Sequence, residues 1–315
     1  MRKSHKPSQN RQKTPRQNSS RPPQKGHERP RPVDSRPDPR PEKRLQPARS
    51  RLSVKSDQVM IYGRHPAAAA LSNPARVIKA IYVTGDASTW INDVFTDQLT
   101  RRQLTPIIID RSEMTDALPP QDKHVHQGVV LVAKPLSPPL LEDWLDQTIP
   151  AQEDDHISHQ LVVVMLDQIT DGRNIGAIMR SALAFGVGAI IATDRNTPTE
   201  TGAMLRAASG ASERMPLIRV VNLSRAITLL QDSGFTVAGL DARGADDLSQ
   251  LEHENRLALV LGAEGSGLRH LTREKVDHLV RIPMSDHAES LNVSNAAAVA
   301  LYAATARHFK TKKND

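Results

Sequence analysis

What most constrains this chain is the rhythm of its second half. Between residues 161 and 283, six short apolar runs recur: LVVVML (161–166), GAIIAT (188–193), MPLIRV (215–220), TVAGL (236–240), LALVLG (257–262) and HLVRIP (278–283). Helical spacing fills the intervals at 174–186, 201–209, 223–233 and 269–275. Apolar runs of this length, without polar alternation, suit strands buried on both faces, and strands that alternate with helices build a parallel sheet. An Ala-rich helix, VSNAAAVALYAATARHF (293–309), closes the pattern. The expectation is an α/β domain over 161–310 with a mostly parallel sheet, whose ligands gather at the carboxyl ends of the strands.

Upstream, residues 57–135 read as a smaller α/β domain. VMIYG (59–63), VIKAIYV (77–83), TPIIID (105–110) and GVVLVA (128–133) have strand character. PAAAALSN (66–73) and STWINDVFTDQLTRRQ (88–103) are helical, the second with Trp90, Val94, Phe95 and Leu99 on one stripe. Residues 136–160, proline-bearing and acidic, read as the linker between the two domains.

Charge divides the chain more sharply than the total of +7 suggests. Residues 1–51 hold 16 Lys/Arg against 4 Asp/Glu, a net +12, and the remaining 264 residues hold 26 against 31, a net −5. The first segment also carries 10 of the 22 prolines, with only Met1, Val33 and Leu45 as larger apolar residues. Such a stretch cannot bury enough surface to offset chain entropy, so residues 1–55 are expected to be a disordered basic tail. Its prolines argue against a mitochondrial transit helix, and it lacks the apolar core of a secretory signal. No apolar run reaches the length of a membrane span. The absence of cysteine excludes disulfides, thiolate nucleophiles and cysteine metal sites. A cytoplasmic protein without a membrane partner is expected. Because the body is acidic, a polyanion such as RNA is the natural partner for the basic arm.

Three segments place small or polar residues at strand ends, where a core does not need them. In GRNIGAIMR (172–180), Ile175, Ile178 and Met179, continued by Ala182 and Leu183, form a buried stripe with Asn174 as helix N-cap. Gly176 and Arg180, four apart, share a face beside it. In LALVLGAEGSGLRHL (257–271), a strand runs into Gly262, Gly265 and Gly267. This is not the dinucleotide pattern, and Glu264 within the turn would repel a pyrophosphate, so a neutral or cationic ligand suits it better. In RIPMSDHAESLNVSNAAAVALY (281–302), Ser290, Asn292, Ser294 and Asn295 crowd the entrance to the last helix, more than capping requires, while Leu291 and Val293 anchor the loop inside. The H-x-H pair His124 and His126 shows no third ligand, so no metal is expected.

Together, NIGAIMR, LVLGAEGSGL and IPMSDHAESLNVSNAAAVALY resemble, in order, the three motifs of the SpoU/TrmH family of RNA ribose 2′-O-methyltransferases in the SPOUT superfamily. The resemblance covers about residues 161–309. The segment from YGRHPAAAAL (62–71) to HQGVVLVA (126–133) is similar to the family's small ribosomal-protein-like RNA-binding domain, with Gly63, Arg64 and His65 on a family motif, where structural support and RNA contact are equally open. The resemblance implies a parallel sheet whose C-terminal segment threads a deep trefoil knot, and a homodimer with the last helix in the interface. It implies S-adenosyl-L-methionine as cofactor, held around Leu240, Asp241, Gly262, Ala263, Glu264, Gly265, Gly267, Ile282 and Leu291. It implies a catalytic set of Asn174, Arg180, Glu264, Ser290 and Asn292, with Arg64 and Arg180 on RNA.

The leading expectation is therefore an S-adenosylmethionine-dependent RNA 2′-O-ribose methyltransferase, with guanosine in 23S rRNA as the favoured target. A tRNA target is the alternative within the class, and a non-catalytic RNA-binding ribosome-assembly factor the alternative outside it. A nicotinamide enzyme fails for want of the phosphate-binding fingerprint.

Overall fold

The computed structural model describes residues 52–149, 160–285, 287, 288 and 290–311. The tail up to residue 51 and positions 150–159 of the linker lie outside the described residues. The first part contains β1 (Val59–Tyr62), α1 (Arg64–Ser72), β2 (Ile78–Val83), α2 (Gly85–Arg102), β3 (Ile107–Ile108), α3 (Arg111–Asp116) and β4 (Val129–Ala133). These strands form a sheet ordered β1-β4-β2-β3, in which β4 runs antiparallel to β1 and β2 while β2 and β3 are parallel. All of β4 is buried. Its Val129, Leu131 and Ala133 face the core under α1 and α2, and its Val130 and Val132 face a second core with Met114 and Leu118. The stripe expected on α2 differs in one member. Ile91, Phe95 and Leu99 are buried, whereas Val94 is 54% exposed, beside a kink at Phe95.

The second part contains α4 (Leu141–Thr148), β5 (Leu161–Asp167), α5 (Gly172–Ala184), β6 (Ala189–Thr193), α6 (Gly202–Ala208), β7 (Leu217–Val220) and α7 (Leu223–Asp232). It continues through β8 (Thr236–Leu240), β9 (Asp246–Asp247), β10 (Arg256–Gly262), α8 (His270–Lys275), β11 (His278–Arg281) and α9 (Val293–Thr311). Its seven strands run parallel in the order β7-β6-β5-β10-β8-β11-β9. One face packs under α5, α6 and α9, and the other under α4, α7 and α8. All six apolar runs are strands, and the two-residue β9 is added at the edge. Helix α4 falls within the stretch read as a linker, yet its Leu141, Trp144 and Leu145 are buried against the sheet.

The two sheets meet through a buried cation. Arg76, just before β2, is fully buried. Its guanidinium donates to Glu213 from Nε (3.0 Å) and Nη2 (2.6 Å), to Glu200 from Nη1 (2.6 Å), and to the Lys134 carbonyl oxygen (2.9 Å). Burial works against this charge, and the two carboxylates outweigh it. Both glutamates belong to the second part of the chain, so the guanidinium ties the small sheet to the large one. A buried pair contributes little net stability as a whole, but removing one partner strands the other charge in a medium of low dielectric. Arg76→Ala is therefore expected to cost about 3–5 kcal/mol in denaturant unfolding. A loss below about 1 kcal/mol would mean that Glu200 and Glu213 can rehydrate without this contact.

Candidate active site

The carboxyl ends of the central strands are level with one another. Gly262 at the end of β10 pairs with Asp167 at the end of β5, Leu261 pairs with Leu240 of β8, and Leu240 pairs with Val280 of β11. The loops leaving these ends therefore share one rim. Asp167 is fully buried and fixes one loop in place: it accepts from Arg269 Nε (2.6 Å), Arg269 N (3.0 Å) and Thr272 Oγ1 (2.7 Å). Between Gly262 and Arg269 the chain doubles back, and a Cβ at Gly262 would collide with the Gly267 and Leu268 backbone. Space at Gly262 thus serves the chain's own turn, whereas Gly265, at φ +81°, has open space beside it.

Above this rim lies a cleft of about 760 Å³. All nine residues expected around the cofactor line it: Leu240, Asp241, Gly262, Ala263, Glu264, Gly265, Gly267, Ile282 and Leu291. Ser290 and Asn292 line it as well. Leu291 is 39% exposed toward the cleft rather than anchored inside, and only Val293 of that pair is buried. Arg273 and Met284 are lining residues that sequence reasoning missed. Arg273 Nη2 pairs with Asp241 Oδ2 at 2.8 Å, but no spacing in the sequence links α8 to the end of β8.

One carboxylate oxygen joins all three sequence segments. Glu264 Oε1 accepts from Asn292 Nδ2 at 2.7 Å, from Asn174 Nδ2 at 3.0 Å and from the Val293 N–H at 3.4 Å. Asn292 Nδ2 also donates to Asn174 Oδ1 at 3.1 Å. The other end of the Asn292 amide caps α9, its Oδ1 accepting from Ser294 N (2.9 Å) and Ser294 Oγ (2.6 Å). A single asparagine thus starts the last helix and holds the glutamate. On α5 the cap is Asp171, which accepts from Arg173 N, so Asn174 is free of the capping role expected for it.

The other expected residues sit apart from this junction. Arg180 is exposed on α5 and makes no hydrogen bond or ion pair with any described residue. Ser290 is exposed at the cleft, without a bond to Arg180. Gly176 is buried because α6 crosses there: a Cβ would collide with the Met204 carbonyl oxygen and the Ala208 amide. The buried stripe of α5 holds Ile175, Ile178, Met179 and Ala182, while Leu183 is 36% exposed. Arg64 stacks over Trp90, 5.2 Å from the ring centroid, and His65 is exposed beside it. Of the H-x-H pair, His126 is buried, with Nδ1 accepting from Gly128 N and Nε2 3.2 Å from Thr115 Oγ1. Among the described residues no cluster of three or more His, Cys, Asp or Glu could hold a metal ion.

The fold is shared with solved SpoU methyltransferases. AviRb, a SpoU methyltransferase of Streptomyces viridochromogenes solved with AdoMet, matches with a TM-score of 0.65 at 23% identity, over 80% of this chain and 91% of that one. The AdoMet-bound rRNA methyltransferase of Sinorhizobium meliloti gives 0.64, also at 23% identity, over 80% and 88%. These likenesses concern the fold. A sequence model of the SpoU rRNA Methylase family matches residues 161–302. Among curated relatives, the 23S rRNA (guanosine-2′-O-)-methyltransferase RlmB of Vibrio cholerae is 35% identical over 246 residues, 78% of this chain and 95% of that protein. The chain belongs to the SpoU/TrmH family of methyltransferases.

The junction can be tested electrostatically. Asn174→Asp sets a second carboxylate against Glu264, where an amide now donates. Two carboxylates in contact retain a shared proton to a raised pKa, so the folded variant binds more protons than its unfolded chain. Its thermal midpoint should lie close to wild type near pH 5 and fall progressively below it as pH rises to 8. An equal deficit at both pH values would show that the two side chains do not share this contact in solution.

Proposed function

We propose that the chain transfers a methyl group from S-adenosyl-L-methionine to the ribose 2′-oxygen of a guanosine in 23S rRNA. The observation that carries this reading is the Glu264 junction, which draws Asn174, Glu264 and Asn292 together at the edge of a cleft with apolar walls. That donor set fits a sulfonium cofactor. Leu240, Ile282 and Leu291 offer apolar surface to an adenine, the glycine turn permits close backbone approach, and a cationic sulfonium tolerates Glu264 nearby. When bound, the cofactor supplies an activated methyl group. RlmB of Vibrio cholerae acts, by its name, on guanosine 2′-O in 23S rRNA, and the small N-terminal sheet, ahead of the methyltransferase region, suits the same RNA here.

A ribose hydroxyl is a weak nucleophile until its proton is withdrawn. Guanidinium stays protonated in proteins, so Arg180 acts as the cation that holds an RNA phosphate and stabilises the developing alkoxide, with a phosphate oxygen taking the proton. Asn174 and Asn292 orient the acceptor by hydrogen bonds, and Ser290, free at the cleft, helps place Arg180 or the ribose. Arg64 contributes to RNA contact from the start of α1, within the small α/β domain that acts as the RNA-binding domain over 57–135.

The same reading includes the family's knot, a homodimer and a cytoplasmic location. The close passage of the backbone at Gly244 against Leu279 and Val280, distant in sequence, supports the knot. For the dimer, the supporting feature is an apolar face: Val299 and Tyr302 of α9 are 43% and 61% exposed, and Tyr302 meets Phe185 edge-to-face at 6.1 Å. The alanines at 297, 300 and 304 are buried within the chain and do not bear on it. No helix among the described residues is long and apolar enough to cross a membrane.

Methyl transfer to rRNA from a strain lacking the protein tests the function. With EDTA present, a single 2′-O-methylguanosine should appear in 23S rRNA by primer extension at low nucleotide concentration. Methylation of tRNA instead would select the alternative substrate, and no transfer to either RNA would favour a non-catalytic assembly factor.

A further inference from the structure

The seam between the two sheets carries a pair of cations outside the cleft. Helices α5 and α6 pack together at their starts, where a Cβ at Gly172 would lie 3.1 Å from Thr201 Oγ1. A Cβ at Gly202 would run into the Tyr62 ring and lie 2.9 Å from the Met60 carbonyl oxygen, so the start of α6 rests on the end of β1. Arg173 follows Gly172, and Arg206 lies one turn past Gly202. Both charges reach the same neighbourhood: burial and the bond to Asp122 push the Tyr62 hydroxyl up, and the positive fields of Arg206 and Arg173 oppose them.

These two guanidiniums are under-compensated. The side chain of Arg206 is 44% exposed, and its ion pair is a long one, 3.5 Å to Asp122 Oδ1. Asp122 itself is buried and accepts from Tyr62 Oη at 2.9 Å, so part of its charge is already engaged. Arg173 is exposed, and its side chain has no hydrogen bond or ion pair with any described residue. Elsewhere in this acidic body, arginines such as Arg76, Arg269 and Arg273 are paired at 2.6 to 2.8 Å. The next residue after Arg173 is Asn174, whose side chain is bonded to Glu264 at the cleft edge.

We propose that Arg173 and Arg206 form a phosphate clamp at the interdomain seam, gripping the RNA backbone beside the target nucleotide. This rests on the RNA-methyltransferase reading. A guanidinium fork matches phosphate bidentately, and two forks set on different helices fix the direction of the strand as well as its charge. Asp122 serves as a positioning residue, holding Arg206 at the seam through a contact long enough to yield to phosphate. The clamp carries no base information, so it sets register and affinity while the choice of nucleotide is made elsewhere.

The test uses the full chain with Arg173→Gln, Arg173→Lys and Arg206→Gln, assayed for methyl transfer and for RNA binding at several salt concentrations. Each glutamine variant should raise KM for RNA about tenfold, the loss of roughly one charged hydrogen bond. The slope of log affinity against log salt should fall by about 0.7–0.9 per contact removed. kcat at saturating RNA and affinity for S-adenosylhomocysteine should stay at wild type, and Arg173→Lys should keep the salt slope. Because the Arg173 side chain has no partner among the described residues, Arg173→Gln reports on RNA alone, whereas a change confined to Arg206→Gln and matched by a lower Tm would mark a purely structural arginine. An unchanged KM and slope in Arg173→Gln overturns the clamp. Wild-type protein that neither binds nor methylates RNA overturns the underlying reading, and the clamp with it.

Discussion

The site depends on one constraint, the register of four parallel strands. Because Asp167 stands beside Gly262, Leu261 beside Leu240 and Leu240 beside Val280, β5, β10, β8 and β11 release their loops at the same height. A slip of one residue in any of them would exchange its side chains between the two packed faces and lift its loop from the rim. The register is held by apolar burial: Val162 to Leu166 and Leu257 to Val260 are at most 1% exposed. Asp167 extends that order beyond the sheet, since a buried carboxylate with three donors leaves the start of α8 no freedom.

On this rim, Glu264 turns three remote segments into one surface. It is 90 residues from Asn174 and 28 from Asn292, and both amides meet its Oε1. Asn292 uses its other end to start α9, so the helix and the junction order each other. Between the two sheets, Arg76 plays the corresponding part, gripping Glu200 and Glu213 and thereby fixing one sheet against the other. An enzyme that must present a long polyanion to a small cleft benefits from both: a rigid rim for chemistry and a rigid offset for the substrate.

Much of this was legible in the sequence, for a physical reason. Parallel strands buried on both faces leave uninterrupted apolar runs, and all six runs are strands. The cleft lining was legible through the family resemblance rather than through spacing. Other features left no local trace. Helix α4 hid in a proline-bearing acidic stretch because only Leu141, Trp144 and Leu145 mark its buried side. The cap of α5 fell to Asp171 instead of Asn174, since either residue type can cap and only tertiary contact decides. Gly176 and Gly262 sit among the candidate site residues in the sequence, yet the space beside both is filled by the chain itself. Arg173 and Arg273 were passed over, because a lone arginine in a helix acquires meaning only from what the fold sets opposite it.

The central claim is that the rim cleft is the cofactor site and needs no metal. Calorimetric titration of EDTA-treated protein with S-adenosylhomocysteine, in wild type and in Leu291→Asp, tests it most directly. Leu291 is 39% exposed, so the substitution is tolerated by the fold while placing a charge on an apolar wall of the cleft. The account predicts one ligand bound per wild-type chain and binding at least about tenfold weaker in the variant, the difference of a lost apolar contact. A silent titration of folded wild type, or equal affinity in the two proteins, would contradict it.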